Sequence, residues 1–369
     1  MKHKNLLVLV MLLVVMVATP LMSQGPKATA QEDTLTVLCT PQEDWCVAMT
    51  EAFEAETGID TSYVRLSSGE ALARIRATQD DPEFSVWWGG PADAFIAATE
   101  EGLLEPYEPE LGSILEPEIA RGEGGYWHGV YLGVMGFCSN VEFLDELGIE
   151  APTSWDDLLA PELKGNIAMA HPATSGTAFT AFWTVVTLKA DELETAEAGK
   201  GYDEEGAPTD AAIDAAFEYF SDLHQNILQY TRSGAAPGQM AGNGEIAVAI
   251  IFSHDCVKLQ QEGFGEVLVN TFPEEGTGYE IGGMGLIKDA PEPEAAKMWI
   301  DWALTPEAQA VAATVNSLQL PTNPETPVSE LSVKLDEVKL INYNFMAAGA
   351  RRNDIAERFD ADIAPQPTE

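Results

Sequence analysis

An α/β fold of two lobes around a cleft is what this chain of 369 residues predicts. Short apolar runs alternate with segments of helical period at the spacing of βαβ units. That alternation runs from residue 34 to 101, breaks, and restarts near residue 130. Glycine-containing apolar runs near 133–140 and 282–286 have the character of strands that cross from one lobe to the other. No repeat of solenoid length competes with this reading.

The first lobe opens with a strand over 34–39, then a helix over 45–56 with Trp45, Ala48, Met49, Ala52 and Phe53 on one face and Gly58 as its stop. A strand over 60–66 follows, then a helix over 70–78 capped by Ser67 or Ser68, a strand over 84–88, the turn Gly89-Gly90-Pro91 and a helix over 92–101. Such units build parallel strands covered by helices on both faces. The rhythm resumes with a strand over 130–138, helices over 141–147 and 155–159, a strand over 166–170 and an apolar helix over 178–188. Weak periodicity and many acids make 189–208 an exposed loop or insertion. Beyond it come a helix over 211–223 and strands over 227–230, 246–253, 266–272 and 282–288. Helices over 294–304, 306–315, 335–347 and 354–359 complete the pattern. The expected division is a leader over 1–30, a first lobe over 31–133, a second over 134–283, and a return to the first lobe with C-terminal helices over 284–369.

Composition narrows the function. Hydrophobic residues at 46% and charged residues at 21% describe a globular chain with a real core. Nineteen Lys and Arg against sixty Asp and Glu leave a formal charge of −41, which excludes binding by phosphate neutralisation and so nucleic acids and anionic membranes as partners. Lys2 and Lys4 precede an apolar run over 6–18, and Ala28-Thr29-Ala30 supplies small residues for cleavage, the pattern of a secretory signal. The run is shorter than the ~20 residues a membrane anchor requires. Three cations and no acid leave with the signal, taking −41 to −44. The mature protein is expected in the periplasm or outside the cell, as a monomer.

Export permits disulfides, and four cysteines follow the signal. Cys39 and Cys46 flank the turn over 40–44 and form the favoured pair; Cys138 and Cys256 then either pair or stay as buried thiols. With no CxxC, HxH or HExxH spacing, neither a metal site nor a cofactor is expected.

Five motifs in order carry a family resemblance. Trp87-Trp88-Gly89-Gly90-Pro91-Ala92-Asp93-Ala94-Phe95 and Glu100-Glu101-Gly102-Leu103-Leu104-Glu105-Pro106 resemble the first lobe of extracellular solute-binding proteins of ABC importers. Pro152-Thr153-Ser154-Trp155-Asp156-Asp157-Leu158 with Pro161-Glu162-Leu163-Lys164-Gly165, then Gly244-Glu245-Ile246-Ala247-Val248 and Thr305-Pro306-Glu307-Ala308-Gln309, resemble the rest. The resemblance implies a type II periplasmic-binding-protein fold and a receptor that hands a small polar solute to a membrane permease. Its nearest branches are the family 1, iron(III)-binding-like group and its hexose-phosphate-binding relatives. Ferric binders carry two adjacent tyrosines where this chain has His254-Asp255, which removes the ligands Fe(III) needs. The hexose-phosphate branch is similar here, with a His-Asp pair and a later Glu that Glu280 supplies.

Anion donors follow from the residues themselves. Thr174-Ser175-Gly176-Thr177 lies between a strand and a helix, where hydroxyls and unpaired first-turn amides gather, and Ser67-Ser68-Gly69 repeats the arrangement in the first lobe. Gly90, in the turn after the third strand, joins this ligand-binding set. Plainer roles compete: N-caps for the Ser/Thr turns, an N-cap Asp beside a satisfied histidine for His254-Asp255, and a solvated acid for Glu280. Trp87 and Trp88 are core, or one floors the cleft; Arg232 contacts an anion or lies on the surface. Fe(III) transport is the alternative within the fold. A secreted hydrolase using His254, Asp255 and Glu280 is the alternative outside it, though no GxSxG elbow is present.

Overall fold

The structure, a computed structural model, describes residues 33–367. The expected signal segment lies outside the described residues.

In chain order the first part comprises β1 (Thr34–Cys39), α1 (Glu43–Thr57), β2 (Asp60–Arg65), α2 (Ser68–Ala77), β3 (Val86–Pro91), α3 (Ala92–Glu100) and the short β4 (Leu104–Glu105). The middle part comprises β5 (His128–Asn140), α4 (Val141–Leu147), β6 (Ile167–Ala170), α5 (Gly176–Ala196), α6 (Asp210–Leu223), β7 (Ile227–Thr231), α7 (Ala236–Gly242), β8 (Val248–Phe252), α8 (Ser253–Leu259) and β9 (Leu268–Thr271). The chain then returns through β10 (Tyr279–Ile287), α9 (Pro293–Ala303), α10 (Pro306–Thr314), β11 (Leu320–Pro321) and α11 (Phe345–Asp362).

The strands lie in the order β2-β1-β3-β10-β5-β8-β6-β7, with β4 on β10 and β9 and β11 on β5. β1 pairs parallel with β2 and β3, and β6 pairs parallel with β7 and β8, as βαβ units require. β10 and β5 run antiparallel between these two parallel groups. β5 is the seam: its residues through Val134 pair with β10, and Met135 onward pairs with β8. Every residue of β5 is buried, so its apolar run is continuous rather than alternating.

Trp87 and Trp88 are both fully buried, so neither floors a cleft. Trp87 stacks on Phe95 at 4.1 Å, while Trp88 meets Trp45 edge-on at 5.0 Å and Trp299 at 6.0 Å. Cys39 is bonded to Cys46, and Cys138 to Cys256.

Three sequence expectations need correction. The loop expected from 189 is helical as far as Ala196, because Leu193 and Ala190 continue the helix and Glu194 accepts the amides of Gly199 and Gly201. The helix expected over 335–347 is a single 3-10 turn, Leu335–Glu337, followed by irregular chain. α11 is one helix from Phe345, started by Asn344, whose side chain accepts the Ala347 amide. This helix ties the two sheet halves together. Arg352 pairs with the fully buried Asp93 of α3 and lies 4.5 Å over the Phe179 ring of α5. Phe359 packs on His171, Phe182, Phe220 and Tyr230.

Candidate functional site

Strand ends build one cavity of about 50 Å³. The turns after β1, β2 and β3 enter it from one sheet half, and those after β6, β7 and β8 from the other, with β5 and β10 forming the back wall. Open α/β sheets place ligands beyond the carboxyl ends of their strands. Ser67, Ser68, Gly90, Ser175, Gly176, Thr177, His254, Asp255 and Glu280 all line this space. Thr174 does not: its hydroxyl is shared between the carbonyls of His171 and Arg232, each at 3.2 Å, which fixes the turn instead. Arg232 is likewise absent from the lining and pairs with Glu70 (Nε to Oε1 2.8 Å).

The hydroxyl turns differ in how free they are. Ser67 and Glu70 form a capping box at the start of α2, with the Ser67 amide 3.2 Å from Glu70 Oε2, so that hydroxyl serves the helix. Ser175 is the N-cap of α5 yet makes no side-chain cap bond, and the α5 amides begin there without intrahelical partners. Gly90 adopts φ +94°, and a Cβ on it would meet Ser68 Oγ at 2.5 Å. Its amide donates to the Tyr131 hydroxyl at 3.0 Å. Burial, with Glu280 nearby, holds the Tyr131 pKa well above 10, so the phenol keeps its proton and offers it to the cavity.

His254 and Asp255 occupy the first turn of α8, a helix whose N-cap is Phe252, so Asp255 is not the cap. The His254 ring stacks on Phe252 at 5.4 Å. Burial, reinforced by the Lys258 charge, lowers the His254 pKa to about 3, so the ring is neutral; its buried Nδ1 has no hydrogen-bond partner. Asp255 accepts a hydrogen bond from Gln42 Nε2, and burial raises its pKa to about 7 against the opposing pull of Gln42, Lys258 and Arg65. Glu280 is buried in β10 opposite Gly133, neither solvated nor ionised: burial first, then Asp255 and Asp93, push its pKa well above the carboxylate range. A Cβ at Gly133 would lie 2.7 Å from His254 Cε1 and 2.9 Å from Glu280 Oε1, so the absence of a side chain there lets the two converge.

Further lining residues escaped the sequence reading. Thr40, Pro41 and Gln42 follow β1, Tyr131 belongs to β5, and Gln319 precedes β11. Arg65, the last residue of β2, is the one cation among the lining residues. Its Nε donates to the Pro41 carbonyl at 3.0 Å, and burial lowers its pKa from the usual arginine value. A cation ending a strand two residues before Ser67 was the available signal. The arrangement can receive an anion at Arg65 and the amide and hydroxyl turns. It can receive hydroxyls at a neutral His, a half-titrated Asp and a protonated Glu. Among the described residues, no group of three or more His, Cys, Asp or Glu is arranged to hold a metal ion.

Comparison with known proteins places this geometry. An uncharacterized protein of Haemophilus influenzae is 34% identical over 357 residues, which are 94% of this chain and 96% of that protein. The periplasmic binding protein AfuA of Actinobacillus pleuropneumoniae, solved with exogenous fructose-6-phosphate bound, superposes with a TM-score of 0.79 at 35% identity over 89% of this chain and 98% of that one. Iron-bound HitA of Pseudomonas aeruginosa shares the fold at a TM-score of 0.68, with 20% identity over 88% of this chain and 98% of that one. The family described as bacterial extracellular solute-binding protein matches residues 48–337. By that match and by these relatives, the chain belongs to the bacterial extracellular solute-binding proteins, with the two-lobed type II periplasmic-binding fold.

Proposed function

We propose that the solute this periplasmic receptor delivers to its ABC importer is a sugar phosphate, or a closely related phosphorylated polyol. One observation carries the reading: a single cavity joins Arg65 and the amide-rich turns at Ser67–Ser68 and Ser175–Thr177 to the buried group His254, Asp255 and Glu280. A phosphate takes the first set, which offers charge-assisted and amide donors. Sugar hydroxyls take the second, where a neutral imidazole and partly protonated carboxyls both donate and accept. AfuA, 35% identical and solved with fructose-6-phosphate, supports this assignment.

The surface charge of −41 does not oppose it. Arg65 stays cationic, His254 and Glu280 are neutral, and Asp255 is poised near neutrality, so the cavity itself repels an anion little. Capture then closes 31–133 and 284–369 over 134–283, pivoting where β5 and β10 cross between the sheet halves.

Fe(III) has less to bind: Tyr131 is the one tyrosine among the lining residues, and its hydroxyl already accepts the Gly90 amide. Hydrolysis has less to work with, since a histidine near pKa 3 is a weak base at neutral pH. The test is a thermal-shift screen against hexose phosphates, free hexoses, phosphonates, polyamines and Fe(III). Ligand at ~100 times its Kd adds roughly 2.7 kcal/mol of stability. Hexose phosphates alone are expected to shift Tm; a shift with free hexose and none with its phosphate overturns the reading.

A further inference from the structure

Both disulfides stand directly beside the cavity. Cys39 ends β1 and Cys46 lies near the start of α1, so their bond closes the loop that contains Thr40, Pro41 and Gln42, three lining residues. Cys256 follows Asp255 in α8, and its bond to Cys138 fixes that short helix on β5. All four cysteines are buried. The two clamped segments meet across the cleft, where Gln42 Nε2 donates to Asp255 Oδ1. Arg65 depends on the first clamp as well, because its Nε bonds the Pro41 carbonyl at 3.0 Å.

The Cys39–Cys46 bond spans a sequence separation of only 7. Cross-linking so short a loop restricts the unfolded chain less than a long one does. Its consequence is therefore weighted toward the folded state, where it holds a three-residue turn between a strand and a helix. The Cys138–Cys256 bond spans 118 residues, yet in the folded protein it too acts on one helical turn.

We propose that the two disulfides are positioning clamps for the ligand site: Cys39–Cys46 sets Thr40, Gln42 and Arg65, Cys138–Cys256 sets His254 and Asp255, and together they hold the cross-cleft contact in register. This rests on the reading that the cavity holds the solute. Loss of either clamp frees donors that the bound solute must then order, so affinity falls even where the fold persists.

The test compares Cys39→Ala/Cys46→Ala, Cys138→Ala/Cys256→Ala and wild type by calorimetric titration with fructose 6-phosphate. Leu223→Ala, fully buried in α6 and outside the cavity lining, serves as a control for lost stability. Each disulfide variant is expected to raise Kd at least tenfold, while Leu223→Ala, though it lowers Tm, binds as wild type does. Gln42→Ala is expected to cost less affinity in either disulfide variant than in wild type, since the register it serves is already loosened. Disulfide variants that bind like wild type, or that lose no more than a core variant of equal Tm, overturn the proposal. If a variant does not fold, wild-type protein reduced in place and checked by circular dichroism replaces it, and unchanged affinity of folded, reduced protein overturns the proposal equally. Wild type that binds no hexose phosphate overturns the ligand reading instead; the same comparison then uses whichever solute of the screen shifts Tm.

Discussion

Asp255 and His254 are neighbours in one helical turn, and burial pushes them in opposite directions. Asp255 rises from 3.8 to about 7, so between those values the folded protein holds a proton that the unfolded chain releases, and stability falls as pH climbs toward 7. His254 drops from 6.5 to about 3, so over that range the unfolded chain binds a proton the folded protein refuses, and stability rises with pH. The two slopes oppose each other between about pH 4 and pH 6.5. Asp255→Asn removes the falling one. The variant should therefore gain stability on wild type as pH rises from about 5 to about 8, by on the order of a few kcal/mol. A Tm difference that stays constant across that range contradicts the buried-acid assignment. Arg65→Gln should weaken hexose phosphate binding by roughly tenfold to a hundredfold, as for a lost charged hydrogen bond, and leave free hexose binding unchanged. Equal loss for both ligands in paired titrations would separate Arg65 from the phosphate. His254, Asp255 and Glu280 were legible through the family resemblance, which implies a His-Asp pair after the apolar strand over 246–253 and a later Glu. Arg65, Gln42 and Tyr131 were not legible because each looks ordinary in its own strand or turn, and only the fold brings the ends of β1 and β2 against the middle of β5.

The β2–α2 and β6–α5 turns meet backbone to backbone. Gly69 donates its amide to the Thr174 carbonyl at 2.9 Å, and a Cβ on Gly69 would lie 2.2 Å from the Ala173 carbonyl oxygen. Gly69→Ala should keep these turns apart. Expected outcomes are at least a tenfold weaker hexose phosphate affinity and a smaller ligand-induced contraction in small-angle scattering. Full contraction in the variant would show that this contact does not govern closure. Elements of strict period were legible: β1, β2, α1 and α9 fall within a few residues of their sequence-based bounds. The antiparallel setting of β5 and β10 was not, since an apolar run with glycines carries no direction. The polar end of α5 was hidden for a different reason. Its last turns bury only Ala190 and part of Leu193 among acidic residues, so the helical period is weak in the sequence while the backbone hydrogen bonds continue. The extent of α8 was not legible, because a seven-residue helix leaves too little period to detect.

Over the whole molecule, α11 joins what the cleft divides. Arg352 is buried between Asp93 of α3 and the Phe179 ring of α5, and Asp93 is fully enclosed. Arg352→Met removes that carboxylate's ion-pair partner, leaving only the Tyr343 hydroxyl at 3.3 Å, and should cost on the order of 3–5 kcal/mol in a urea titration. A cost below about 1 kcal/mol would mean Asp93 takes up a proton and needs no partner. The charge of −41 acts at the same scale, as a field screened within about 8 Å at physiological ionic strength. It opposes the approach of an anion more than its retention. The claim that this cavity selects a phosphorylated sugar is tested most directly by titrating the wild-type protein calorimetrically with a hexose 6-phosphate and with the same hexose lacking its phosphate. Saturable binding of the phosphate at least a hundredfold tighter than that of the parent sugar is expected; equal binding of the two, or binding of the free hexose alone, would overturn the assignment.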